Sequence, residues 1–153
     1  MRSRWTALVI VLVLAGLAPR SSNAQAAPPQ TPPRKSVPVS ALGPARPNPM
    51  NPETFIPFSV GDSPACTDAG HRYSVTLEIR NTIGQLVAYP VIQGGVAGGQ
   101  KIKSLQLTCV SGGFKAYWNG KYLDSQREAA SGVYYYELAV DGHKNRKTLT
   151  VAK

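Results

Sequence analysis

Two cysteines, two histidines and eight carboxylates hold most of the reactive chemistry available to this chain of 153 residues. Cys66 and Cys109 are the only thiols. In an exported chain an even count predicts a disulfide. Closing a loop of about 44 residues would stabilise the fold by roughly 4 kcal/mol in the chain-entropy picture; two free thiols are the alternative. His71 and His143 stand at no ligand spacing from the cysteines. Zinc wants four ligands, or three and a water, so no metal is expected. Asp62 and Asp68 flank Cys66 and are oxygen donors of the kind calcium takes. Without a third and fourth acid in step, they read as part of a solvated loop. The other acids are scattered, with no pair spaced for general acid and base work. Ser111 and Ser131 each precede a glycine, but neither lies in a Gly-x-Ser-x-Gly elbow. Neither a catalytic residue nor a cofactor is expected, and the chain reads as one that binds or anchors.

Binding chemistry is easier to find. The full chain has 17 Lys+Arg against 8 Asp+Glu, a net charge of +9. Such a balance attracts polyanions with a salt-dependent affinity. The densest basic group is Lys144, Arg146 and Lys147. Tyr117 and Tyr135 fall on the polar parity of their strands, and aromatic faces beside cations suit sugars or acidic polymers. Tyr117, Tyr135, Lys144 and Arg146 are therefore the candidate ligand surface, with an acidic glycan as the candidate partner and ordinary cross-strand packing as the alternative. Nucleic acid is not expected, because no RNP-like aromatic motif, helix-turn-helix or zinc knuckle is present.

The beginning of the chain reads as an export signal. Arg2 and Arg4 precede an apolar run from Thr6 to Ala18, and a polar stretch leads to Ala24-Gln25-Ala26, the small-x-small pattern of a cleavage site. The apolar run is shorter than the roughly 20 residues a spanning helix needs, so no transmembrane span is expected after cleavage. Loss of residues 1–26 removes three arginines and leaves 14 basic against 8 acidic residues, a net +6. Residues 27–47 hold seven prolines, with no aromatic residue and no apolar period. Proline sets φ and removes a donor, so this segment is expected to be an extended or disordered, unpaired spacer. The protein is accordingly expected to be exported to the periplasm, the cell surface or the medium.

From Asn48 onward the texture is alternation. Tyr73, Val75, Leu77 and Ile79 alternate with Ser74, Thr76 and Glu78, the period of a strand with one wet face. Asn81-Thr82-Ile83-Gly84 is a turn, and Gln85 to Ile92 reads as the returning strand of a hairpin, with Pro90 demanding an edge or a bulge. Gly94 to Gly99 reads as a flexible loop. Leu105 to Cys109, Phe114 to Trp118, Gly132 to Val140 and Arg146 to Lys153 alternate likewise, and Asp141-Gly142 is a strong hairpin signal. Trp118 shares parity with Phe114 and Ala116 and is expected in the core. With Phe55 to Val60 these make about seven short strands and no amphipathic helix. The fold class is all-β, an antiparallel β-sandwich occupying residues 48–153.

Three stretches carry a resemblance. Pro47-Asn48-Pro49-Met50-Asn51-Pro52-Glu53-Thr54 opens the domain, Trp118-Asn119-Gly120 precedes a polar loop, and Ala130-Ser131-Gly132-Val133-Tyr134-Tyr135-Tyr136-Glu137-Leu138 leads to the terminal Lys147-Thr148-Leu149-Thr150-Val151-Ala152-Lys153. Over about residues 47–153 this order resembles the type A C-terminal sorting domain of the type IX (Por) secretion system, which is similar to the Ig-like domain of the flagellar hook-capping protein. Met50 stands where that family usually has an aromatic residue, and the cysteine pair is not a family hallmark. The resemblance implies an Ig-like sandwich, export, and surface attachment through secretion or cell-envelope machinery that reads the last strands. On that basis Gly132, Tyr134, Lys147 and Lys153 would be the recognition positions.

Overall fold

The structure is a computed structural model and describes Ser40–Lys153 apart from Asp124. The expected signal peptide and most of the expected spacer lie outside the described residues. The described chain is all-β, with nine strands in two antiparallel sheets and no helix. The strands are β1 (Ser40–Leu42), β2 (Thr54–Val60), β3 (Arg72–Asn81), β4 (Leu86–Ala88), β5 (Val91–Ile92), β6 (Leu105–Thr108), β7 (Phe114–Trp118), β8 (Gly132–Val140) and β9 (His143–Val151). The first sheet runs β1-β2-β7-β5. The second runs β4-β3-β8-β9, with β6 pairing the near end of β3.

Period-two alternation places one face of each strand inside. The first sheet contributes Ile56, Phe58, Val60, Ala116 and Trp118; the second contributes Val75, Leu77, Ile79, Tyr136, Leu138, Leu149 and Val151, all buried in one core. The Trp118 ring meets Tyr134 edge-on across the two sheets at 5.9 Å. Asp141 and Gly142 both have positive φ, 47° and 86°, as a two-residue hairpin of right-handed twist requires. β8 and β9 therefore pair in unbroken register from Val140↔His143 to Gly132↔Val151.

Two strands beyond the expected seven have identifiable causes. The stretch Gln85 to Ile92 is not one returning strand. β4 completes the hairpin with β3, and the chain then leaves that sheet so that β5 can pair with β7 in the other. Pro90 sits at the crossing, where its missing N–H costs no ladder hydrogen bond. The second addition is β1, which falls inside the segment expected to be an unpaired spacer. Ser40, Ala41 and Leu42 pair with Val60, Ser59 and Phe58. The Tyr136 hydroxyl anchors the chain just beyond, donating to the Gly43 carbonyl (2.9 Å) and accepting from the Ala45 N–H (3.0 Å). Alternation cannot announce so short a strand, because its partner contacts come from residues far along the chain.

Cys66 and Cys109 form a disulfide, with Cα atoms 5.4 Å apart. It ties the β2–β3 loop to the end of β6. The loop is further organised by Asp62, whose carboxylate accepts from the Thr67 hydroxyl (2.6 Å) and the Thr67 N–H (3.0 Å). The hydroxyl contact is the main reason that this carboxyl is held below its usual range.

Candidate functional site: the clasped terminal strand

An edge strand exposes unpaired N–H and C=O groups unless something covers them. β9 is such a strand, and its last part is covered by the Pro-Asn-Pro segment. The Asn48 side chain spans two backbone groups: its Oδ1 accepts from the Thr150 N–H (2.9 Å), and its Nδ2 donates to the Thr148 carbonyl (3.4 Å). Met50 continues the ladder with its backbone, donating to the Thr150 carbonyl (2.8 Å) and accepting from the Ala152 N–H (3.0 Å). Prolines at 47, 49 and 52 have no N–H to donate and the chain bends around them, so the residues free to make these bonds are those between them. Thr54 fixes the base of the segment by donating its hydroxyl to the Pro47 carbonyl (2.8 Å).

The Trp-Asn-Gly stretch meets the same segment. Gly120 has φ +74°, and a β-carbon there would run into the Pro52 carbonyl oxygen and crowd the Met50 methyl. Only glycine allows this approach. Trp118 donates its indole N–H to the Lys121 carbonyl (2.9 Å), and Met50 is fully buried against this end of the core. Its flexible thioether fills this buried space.

Of the four positions expected from the resemblance, three are gathered at this end. Gly132 begins β8 opposite Val151 with an extended positive φ of 153°, and no atom lies close to where a β-carbon would be. Tyr134 is buried, stacks edge-on against Trp118, and donates its hydroxyl to the Ala130 carbonyl (2.9 Å). Burial is the main cause that raises its phenol above the ordinary value. Lys153 donates its N–H to the Ser131 hydroxyl (3.2 Å) and its ammonium to Glu128 (2.7 Å). Lys147 lies six residues earlier, about 20 Å along an extended strand, and is exposed.

The candidate ligand surface divides. Tyr117 is on the outer face of the first sheet, beside Phe55 (ring centroids 5.4 Å), with its hydroxyl donated to Glu53 (2.7 Å). Tyr135, Lys144 and Arg146 are together on the outer face of the second sheet. At their centre is Glu137, only 7% exposed, whose Oε1 takes the Lys144 ammonium (2.9 Å) and whose Oε2 takes the Arg146 guanidinium (2.7 and 3.0 Å). Arg146 also lies 5.7 Å from the centre of the Tyr135 ring. The Lys144 hydrogen bond does most to hold the Glu137 carboxyl below its usual range; burial opposes it and Arg146 supports it. Both cations are thus paired with one carboxylate, which offsets one of their two charges.

Sequence reasoning missed Asn48 and Glu137. Asn48 was legible only as part of the stretch that opens the domain, because its partners lie 100 and 102 residues away. Glu137 had a local signal, since an acid amid Tyr135 and Ala139 faces whatever strand follows the Asp141-Gly142 turn. His71 sits 3.7 Å from Asp141 and against the Tyr73 ring, while His143 is exposed. No group of three or more His, Cys, Asp or Glu residues that could hold a metal occurs among the described residues. No helix among them is long and apolar enough to cross a membrane. No protein-family model, curated protein or solved structure matches the chain.

Proposed function

We propose that this chain is an exported, non-catalytic β-sandwich module of the Ig-like kind, and that its clasped terminal strand is the element read by secretion or cell-envelope machinery for sorting or surface attachment. The observation that carries the reading is the convergence of the three resembling stretches. Pro47–Pro52, Trp118–Gly120 and Gly132–Tyr134 all pack around the end of β9, although they are far apart in the chain. The disulfide supports an oxidising destination. An acidic-glycan surface at Tyr135, Lys144 and Arg146 has less support, because both cations are already ion-paired with Glu137.

The test must separate recognition from folding. Deleting Arg146–Lys153 would strip Leu149 and Val151 from the core, so loss of sorting by that variant would be uninformative. Lys147 and Lys153 are exposed, and an exposed ion pair such as Lys153–Glu128 adds little to stability. The double variant Lys147→Glu, Lys153→Glu is therefore expected to fold. Cell fractionation should then show it crossing the inner membrane and failing to remain at the surface. Wild-type surface retention by that folded variant would refute the reading.

A further inference from the structure

A second concave feature lies away from the clasp, where the two sheets part. Here β5 ends after Ile92, β6 holds only the near end of β3, and neither sheet closes over the gap. The result is an open cleft of about 650 Å3, within the roughly 300–1,000 Å3 of small-molecule sites. Its walls are apolar, formed chiefly by Ile92, Leu107, Phe114 and Val110. The glycine-rich loop forms one rim. Its base is pinned by Gly99 N–H to the Ile92 carbonyl (2.8 Å) and Ile92 N–H to the Gln100 carbonyl (2.9 Å). At its tip Val96 is fully exposed, at 106% of the reference area. An apolar side chain held in water on a loop beside an apolar cleft gains most by folding onto something in that cleft.

The charges say what that something is. No Asp or Glu lines the cleft, and Arg72 and Lys115 do. The Lys115 ammonium is directed over the Phe55 ring (5.3 Å). The Arg72 side chain makes no hydrogen bond or ion pair with the described residues. It differs in this from Arg80 and Arg146, which hold Glu78 and Glu137. An unpaired guanidinium at an apolar cleft recognises a carboxylate attached to an apolar body. We propose that the cleft is a binding site for a free, single-chain anionic amphiphile, an alkyl carboxylate, whose head group meets Arg72 and whose chain lies along Leu107, Phe114 and Ile92 beneath Val96.

Calorimetric titration of the full chain with dodecanoate, below its aggregation concentration, tests this. Dodecanoate should bind at one site, and more tightly than dodecanol or dodecyltrimethylammonium. Arg72→Gln should weaken dodecanoate by about tenfold and remove its advantage over dodecanol, the loss of one charge-assisted contact. Val96→Asp should weaken both ligands. The two side chains are exposed, and an unchanged melting temperature will show that each variant folds. The proposal is overturned if dodecanoate does not bind, if the cationic surfactant binds equally well, or if both variants bind as the wild type does. It is also overturned if only anionic vesicles, or an extended peptide adding to the free edge of β6, bind in place of the monomeric carboxylate.

Discussion

Asn48 substitutes a side-chain amide for a stretch of backbone. Its carboxamide offers one acceptor and one donor at the spacing of a strand's own C=O and N–H, so the end of β9 is paired without a full neighbouring strand. Asn48→Ala removes both bonds and leaves the Thr150 N–H open to water. We expect a loss of about 1–2 kcal/mol, read as a lower denaturant midpoint with an unchanged slope, and faster hydrogen exchange at Thr150. Exchange at Thr150 no faster than in the wild type would show that the clasp does not protect the strand. Glu137 predicts a pH dependence. Its carboxyl is held below the ordinary value of 4.5 by Lys144 and Arg146, against burial. The folded protein therefore binds the proton less tightly than the unfolded chain. The stabilisation is complete above the unfolded value and is lost as pH falls through the folded value. Thermal melts should show the wild type losing more stability than Glu137→Gln on acidification from about pH 5 downward; parallel curves would contradict the assignment.

At the scale of elements, β9 has two jobs carried by different residues. Leu149 and Val151 are buried in the core, while Lys147 and Lys153, of the same parity, are exposed. Leu149→Ala should cost about 2–5 kcal/mol by emptying a fully buried site, a drop in melting temperature that Lys147→Glu should not produce. If the two variants melted alike, the division of labour along the strand would be wrong. The strand itself was legible in Leu149 and Val151 and in the Asp141-Gly142 turn, because pleat and turn chemistry are local. Its clasp was not, because nothing near Asn48 in sequence announces that a strand a hundred residues away ends with its edge uncovered. The same reason hid β1. It also hid the change of sheet at Pro90, where the proline marked an interruption without saying which sheet the chain enters next.

For the whole molecule, the disulfide is the one covalent tie between distant parts. It joins the β2–β3 loop to the end of β6 beside the cleft. Replacing Cys66 and Cys109 together by serine should lower stability by about 2–5 kcal/mol, measured by chemical denaturation under oxidising conditions. A double variant as stable as the wild type would mean that the loop is held by Asp62 and its neighbours alone. The amino-acid pattern by itself determined the all-β class, most of the strands, the inward faces and which two cysteines a disulfide would join. Each of these follows from period-two burial, turn residues of special φ and the count of thiols. Only the tertiary structure decided which sheet each strand joins, that Glu137 pairs with both Lys144 and Arg146, that the three resembling stretches converge, and that a cleft with an unpaired arginine opens between the sheets. These depend on contacts between residues far apart in the chain, and an alternating pattern carries no record of which distant edge a strand will meet.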